Sequence, residues 1–288
     1  MLKSPATISP AQDLIFNEGS LTFDTGGTWT HSSGLKGKGQ VEFKTFDSGY
    51  GFYGFGVCTF HFNQFSLGQD VAVVVKGRNS LLLKVDGNAS INTTLSLNGE
   101  SGLNGSYSGL GGPGGWASGQ GLLFTEDGSN LHPSLNGQGP GGGEGYEADR
   151  SNAGGSYGGR GSNGGRGGNE GKTYGDEKVS FLIGGSGGGH SYIGTGNAGG
   201  GGGAIGLEVG GDLVIGANGK IESNGGLGSF DLENSGGGGS GGAIRIHAGN
   251  ISNLGTLSVR GGNVEQPKTN GNWSPNTYSS SELKLWLD

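Results

Sequence analysis

Acidic side chains gather in one short stretch of this sequence, where Glu144, Glu147 and Asp149 stand beside Arg150. Enzymes that hydrolyse a glycosidic bond usually use two carboxyl groups, one as proton donor and one as base or nucleophile. No feature of the sequence places these side chains across a cleft. A polysaccharide-active enzyme is therefore only the last alternative, and we predict a non-enzymatic protein with no catalytic residue.

Three other groups of residues partly resemble a known ligand-binding or metal-binding motif but do not match it. Residues 171–173 (Gly-Lys-Thr) resemble the end of a phosphate-binding loop, but Arg166 stands where that loop needs Gly. Residues 225–231 approach a calcium-binding nonapeptide, yet the Asp is one residue late and the motif does not recur. The histidines have no zinc-ligand spacing; they are His31, His61, His132, His190 and His247. We therefore expect neither a metal nor a cofactor.

Aromatic side chains embedded in glycine-rich sequence are the candidate receptor-binding residues. An aromatic ring can stack on a sugar, and Tyr and Trp add a polar tip to an apolar body. The candidates are Trp116, Tyr146, Tyr157, Tyr174 and Tyr192. The alternative is that these rings only cover a layer of glycine.

The composition limits which elements can carry these residues. Gly supplies 72 of the 288 residues, whereas hydrophobic residues make up 30% and charged residues 14%, unlike an ordinary helical protein. So much Gly must either remain disordered or be used for close backbone packing. The net charge of −7 disfavours nucleic-acid binding. Cys58 is the single cysteine, no apolar run is long enough to span a membrane, and residues 1–5 show no signal peptide.

Three segments of the chain read alike when their apolar positions are aligned. Each begins with alternating apolar residues and continues in short pieces interrupted by Gly or Asn. In the second segment this alternation predicts one buried face with Ile205, Leu207 and Val209, and Glu208 on the other. Such repeats bury their faces by stacking, so we predict an all-β fold of parallel β-solenoid-like repeats.

The predicted organisation has an N-terminal set of strands or cap, a repeat region and a C-terminal strand. The boundaries are 1–75 for the cap, 76–263 for the repeats (81–99, 204–226 and 243–263, with glycine-rich insertions 99–203 and 226–242), and 264–288 for a linker and strand. The last strand is indicated by Leu283, Leu285 and Leu287, which alternate with Lys284 and Trp286.

Within the insertions, Gly recurs at every third residue. Between residues 155 and 167 the register runs Gly155, Gly158, Gly161, Gly164 and Gly167. Period three is the repeat of the polyproline-II helix, and Gly on one edge lets such helices pack closely. We predict packed polyglycine-II helices here; the alternative is a flexible Gly/Ser linker.

The period-three registers between aromatic residues resemble the tip adhesins of T-even-like phage tail fibres over about residues 99–203. That resemblance implies a polyglycine sandwich that displays receptor-binding loops. Residues 241–248 (Gly-Gly-Ala-Ile-Arg-Ile-His-Ala) and 255–262 (Gly-Thr-Leu-Ser-Val-Arg-Gly-Gly) also look like glycine-rich β-solenoid regions of large surface proteins of bacteria and phages.

Together these features predict a structural or adhesive protein, extracellular or on the surface of a cell or virion, such as a fibre or filament subunit. The expected partners are copies of itself or a parent assembly, and a cell-surface glycan or receptor. Nucleic acid and a membrane span are not expected. The main alternative is a phage tail-fibre adhesin that binds a glycan or outer-membrane protein. An ice-binding protein is a further alternative, although the regular Thr ladder it needs is missing.

Overall fold

The computed structural model describes residues 11–102, 109–120, 123–124, 130–131, 136–145, 152–161, 169–190, 197–229 and 235–263. These residues form strands and extended segments without a helix, which confirms the all-β prediction. Accordingly, the described part has no helix that could cross a lipid bilayer. The strands are β1 (Gln12–Asp24), β2 (Thr28–His31), β3 (Lys36–Lys38), β4 (Gln40–Asp47), β5 (Phe52–Lys76), β6 (Ser80–Val85), β7 (Ala89–Ile91), β8 (Thr94–Ser96), β9 (Leu123–Phe124), β10 (Asn130–Leu131), β11 (Ala204–Ile215), β12 (Lys220–Glu222), β13 (Ala243–Asn253) and β14 (Thr256–Ser258).

The three similar segments lie side by side as parallel strands. β11 is the middle strand, with β6 on one side and β13 on the other, and Ile205 is opposite both Leu81 and Ile244. Further along each segment, β8, β12 and β14 form a second parallel sheet. The predicted alternation is confirmed, because Ile205, Leu207 and Val209 are buried whereas Glu208 is partly exposed.

The strand pairings differ from the predicted solenoid. β6 and β7 each pair with both β5 and β11, so these four strands close into a ring of pairings, a barrel closure in place of stacked solenoid coils. The reason is local. Only residues 86–88 separate β6 from β7, and the two short strands therefore follow one another along the same two long partners.

The N-terminal strands extend this sheet and bring aromatic side chains into its core. β1 runs parallel to the second half of β5, whereas β4 pairs antiparallel with the first half. Phe23, Phe60, Phe62 and Phe65 are almost completely buried in the main hydrophobic core, together with the apolar residues of β6, β11 and β13.

Asparagine side chains join successive segments where the chain turns. The Asn224 amide donates to Asn98 Oδ1 at 2.7 Å, and Asn224 Oδ1 in turn accepts from the Arg260 amide at 2.8 Å. The Asn218 amide donates to Asn92 Oδ1 in the same way at 3.1 Å. The side-chain oxygens of Asn92, Asn98 and Asn224 thus each accept a hydrogen bond from a backbone donor of the next segment.

Most glycine-rich residues pack into a body that we call the glycine lattice. Its segments are 97–102, 109–120, 136–145, 152–161, 184–190, 197–203, 223–229, 235–242 and 259–263. They are extended but outside the strands, and their backbone hydrogen bonds join residues distant in sequence. Segment 109–120 turns at residues 113–114 and so supplies two legs, 109–112 and 115–120.

Two segments lie at the centre of the lattice, each hydrogen-bonded to six neighbours. The neighbours of 197–203 are 97–102, 109–112, 115–120, 184–190, 235–242 and 223–229. Those of 184–190 are 197–203, 115–120, 235–242, 152–156 and the two legs of segment 136–145. Six neighbours around one is the densest packing of parallel rods. It explains why central residues such as Gly200 and Gly187 are buried.

The two ends of the glycine lattice differ. At one, the sheet end, segments join strands directly: residue 97 follows β8 and residue 203 precedes β11. The other, the free end, is tied together by bonds such as Gly102 N–H to Leu227 O, Gly109 N–H to Ala198 O and Ala153 N–H to Glu144 O.

Candidate functional site

Three of the five predicted receptor-binding aromatics come together in one cluster. The ring of Tyr174 lies 4.8 Å from that of Tyr157 and 6.0 Å from that of Trp116, both in edge-on contact. Phe46 from β4 lies 6.1 Å from Tyr174, and Tyr53 from β5 lies 6.4 Å from Trp116. The cluster therefore fills the space between the sheet and the glycine lattice.

Tyr174 is buried in this cluster, at 5% exposure. Its hydroxyl donates to the carbonyl of Gly184 at 2.7 Å and accepts from Ser186 Oγ at 3.0 Å. Burial raises the pKa of Tyr174 well above its usual range, so the hydroxyl stays neutral. Tyr157 is only partly exposed, and burial together with the Asp176 carboxylate raises its pKa too.

The burial of Tyr174 favours the alternative that this ring covers the glycine layer, because a ring with 5% exposure and a satisfied hydroxyl offers little surface for stacking on a receptor. Trp116 and Tyr157 are partly exposed. The physical reason is that Phe46 and Phe55, distant in sequence, offer an apolar surface that these rings cover.

Tyr146 and Tyr192 lie outside the described residues. Their nearest described neighbours in sequence, Gly145 and His190, are both at the free end of the lattice. The Gly145 amide donates to Asn136 Oδ1 at 2.9 Å, and His190 Nε2 is 2.9 Å from Asn197 Oδ1.

The acidic cluster is represented in the described part by Glu144 alone, because Glu147, Asp149 and Arg150 lie outside it. Glu144 Oε2 accepts hydrogen bonds from the backbone and side-chain nitrogens of Asn169, at 2.9 and 2.8 Å. This carboxylate therefore ties lattice segment 136–145 to Asn169. Among the described residues, no group of three or more His, Cys, Asp or Glu side chains could hold a metal ion.

The free end of the lattice is the candidate functional surface, because the other end continues directly into β8 and β11. At the free end the described segments end in bonds to one another. Gly102 N–H donates to Leu227 O and Gly109 N–H donates to Ala198 O.

The sequence reading missed an exposed aromatic patch on the β4–β5 hairpin. Phe43 is 81% exposed, Phe52 79% and Tyr50 60%. Lys172 Nζ lies 4.0 Å from the centre of the Tyr50 ring, a cation–π contact. Alternation along β4 and β5 indicated strands, but nothing in it marks which rings remain uncovered.

Comparison with protein-family models, with curated proteins and with solved structures found no match.

Proposed function

We propose that this chain is a non-enzymatic structural or adhesive surface protein, extracellular or on a virion, in which the glycine lattice is a rigid support for a binding surface at its free end. The observation that carries the proposal is the difference between the two ends of the lattice, because its segments join strands directly at the sheet end and bond only to one another at the free end. A body joined to a sheet at one end leaves the other end for contact with a partner.

The rigidity follows if the lattice segments are polyglycine-II helices. The amides of residues 199–204 donate in turn to segments 235–242, 97–102 and 109–120, and then to the same three again. A threefold helix presents its backbone donors in three directions that repeat every three residues. Such a helix binds neighbours on all sides, unlike a strand, which binds two.

Lattice packing also explains why side chains are excluded. A Cβ placed on Gly201 would collide with the backbone of Gly185, and one on Gly239 with that of Gly200. A flexible linker has no such constraint. We therefore regard the glycine content as a requirement of the scaffold, with larger residues reserved for the ends.

A phage tail-fibre adhesin is the second candidate. It is favoured by the same end-on arrangement, since the tip adhesins that residues 99–203 resemble display receptor-binding loops from a polyglycine sandwich. The two candidates differ in their partner, because a tip adhesin must recognise a specific glycan or outer-membrane protein.

Binding measurements on the full chain test the proposal. We expect the purified protein to bind members of a glycan array or a panel of intact bacterial cells. Changing Tyr146→Ala and Tyr192→Ala together should lower the bound amount at least 10-fold, because both lie within two positions in sequence of a free-end residue, Gly145 or His190.

Phe52→Ala is the matched control, because this exposed aromatic lies on the sheet and not at the free end. Its binding should equal that of the parent. Binding that is lost with Phe52→Ala and kept in the tyrosine double variant would place the contact surface on the sheet and refute the proposal, as would absence of binding to every glycan and cell tested.

A further inference from the structure

The third of the three similar segments has an unpaired edge. Among the described strands, β13 pairs only with β11 and β14 only with β12. Ile251, Leu257 and Val259 on this segment are only partly buried, unlike the matching Leu213 and Ile221 of the middle segment. An open parallel edge with half-covered apolar side chains is a surface to which another strand can add.

The glycine lattice is incomplete on the same side. In residues 236–243, every amide has an acceptor among the described residues except those of Gly238 and Gly241. Both glycines are buried and stand three residues apart. A buried donor without an acceptor is unfavourable. Two such donors, three residues apart as in the lattice, therefore indicate a missing neighbour.

The pairing register shows what that neighbour should be. Ala204 is opposite Ala243, so Gly199 and Gly202 are the counterparts of Gly238 and Gly241. Gly199 and Gly202 donate to the carbonyls of Gly237 and Ser240, in the segment that leads into β13. By the same rule, Gly238 and Gly241 should donate to a segment that leads into one more strand.

The sequence repeats the alternating apolar pattern of β13 at the matching interval. Ile205 and Ile244 are 39 residues apart, and Leu283 follows Ile244 by the same 39 residues. The interval aligns Leu285 with Ile246 and Leu287 with Ala248, the buried positions of β13. It also aligns Lys284 with Arg245, and Ser279 with Ser240.

We propose that residues 276–288 form a fourth layer on this edge. In this arrangement residues 276–281 fill the open lattice position, where the carbonyls of Asn276 and Ser279 accept from Gly238 and Gly241. Residues 282–288 then pair in parallel with β13, with Leu283, Leu285 and Leu287 on its apolar face.

Chain connectivity favours this segment over a second copy of the protein. β14 continues into segment 259–263, which bonds to Gly228 and Gly239 near the free end. From there residues 264–275 lead to the proposed layer, as 230–234 lead from segment 223–229 to segment 235–242. A segment tethered by so short a connection has an effective concentration in the millimolar range.

A disulfide tests the register. Neighbouring strands are about 4.8 Å apart, within the Cα separation of about 4.4–6.8 Å that a disulfide bridges. We expect His247→Cys with Trp286→Cys, which are in register, to form an intramolecular disulfide on mild oxidation. His247→Cys with Lys284→Cys, two residues out of register and about 8 Å apart, is the matched control and should form at least 10-fold less. Equal yields, or disulfides that join two chains, would overturn the proposal.

Hydrogen exchange gives an independent readout on the full chain. Gly238 and Gly241 should be protected to within 10-fold of Gly199 and Gly202. Leu285→Asp should remove that protection by at least 100-fold while Gly199 and Gly202 remain protected, because the change removes the layer and not the fold. Lys284→Asp, on the opposite face, should have no effect. Fast exchange of Gly238 and Gly241 in the unchanged chain would contradict the fourth layer.

Discussion

Gly199, Gly200 and Gly201 pack against neighbouring backbones at distances that leave no room for a side chain. A Cβ on each would meet a carbonyl of a different neighbour: Gly226, Leu110 and Gly185 respectively. Three consecutive residues thus face three different backbones at contact distance. The neighbouring atoms cannot move aside to make room for a Cβ, because they belong to the backbone of other segments and not to flexible side chains.

Substitution of a central glycine should therefore be severe. We expect Gly201→Ala to lower the free energy of unfolding by about 3 kcal/mol or more, the upper part of the range for overpacking. Gly158→Ala is the control, because no atom lies within 4 Å of a Cβ at that position, and it should stay within about 1 kcal/mol of the parent. Chemical denaturation measures both, and similar values for the two would contradict the packed lattice.

Cys58 should be nearly inert in the folded protein. Burial raises its pKa to about 11, with Asp24 adding to the rise and a hydrogen bond with the Gly27 backbone opposing it. At pH 8 only about 0.1% of such a thiol is ionised, so iodoacetamide should react at least about 100-fold more slowly than with an unstructured cysteine. A mass-spectrometric time course checks this, with the urea-unfolded chain as control.

The sign of the pH dependence follows from the same shift. Because folding raises the pKa of Cys58, its protonated form stabilises the fold fully below the unfolded pKa. That contribution is lost as the pH rises toward about 11. Alkylation that is already fast at pH 8 would show that the thiol is not buried.

At the scale of elements, short strands are held in register by the side chains at their ends. Asn224 shows this best: besides its bonds to Asn98 and Arg260, its Oδ1 accepts from Ser258 Oγ at 2.7 Å. β8, β12 and β14 have three residues each and few ladder bonds of their own. The asparagine therefore supplies much of the connection between β12 and β14.

We expect Asn224→Ala to lower the free energy of unfolding by about 1–3 kcal/mol, because the partly buried Oδ1 of Asn224 accepts two hydrogen bonds and each is worth about 0.5–1.5 kcal/mol. Asn250→Ala is the control. Asn250 is exposed and donates to Asp212 Oδ1 at 2.7 Å, so its loss should cost less than about 1 kcal/mol. Thermal unfolding of the two variants checks the difference, and an equal effect would argue against a special role for Asn224.

The strands were predictable where side chains alternate. The alternation of Ile205, Leu207 and Val209 predicts a buried face. The sequence Gly-Gly-Ala-Ile at the start of both β11 and β13 indicates that the two segments correspond. Glycine gives no such guidance. Its period of three indicates a threefold helix, yet without side chains nothing in the sequence specifies which segments become neighbours.

The candidate site was less predictable for a related reason. Trp116 and Tyr174 read as display residues because their surroundings in sequence are polar and glycine-rich. Their packing partners, Phe46 and Phe55, lie at least 60 positions earlier in the chain. Only the three-dimensional arrangement shows that the rings join two bodies.

At the scale of the whole molecule, the sheet lies at one end of the glycine lattice and the free end at the other. Apolar side chains stabilise the sheet, whereas backbone hydrogen bonds and close contact stabilise the lattice. The aromatic cluster joins the two. If the free end binds a partner as proposed, exchange of free-end residues should alter binding and leave the supporting body unchanged.

The central position of segment 197–203 also dictates an order of assembly. Its six neighbours come from residues 97–120, 184–190 and 223–242, so the shell around it cannot close before residue 242 has been synthesised. Contacts this distant in sequence make folding slow, because the chain loses entropy in bringing the segments together before their bonds repay it. Until then the backbone donors and acceptors of segment 197–203 lack the partners that they have in the folded protein.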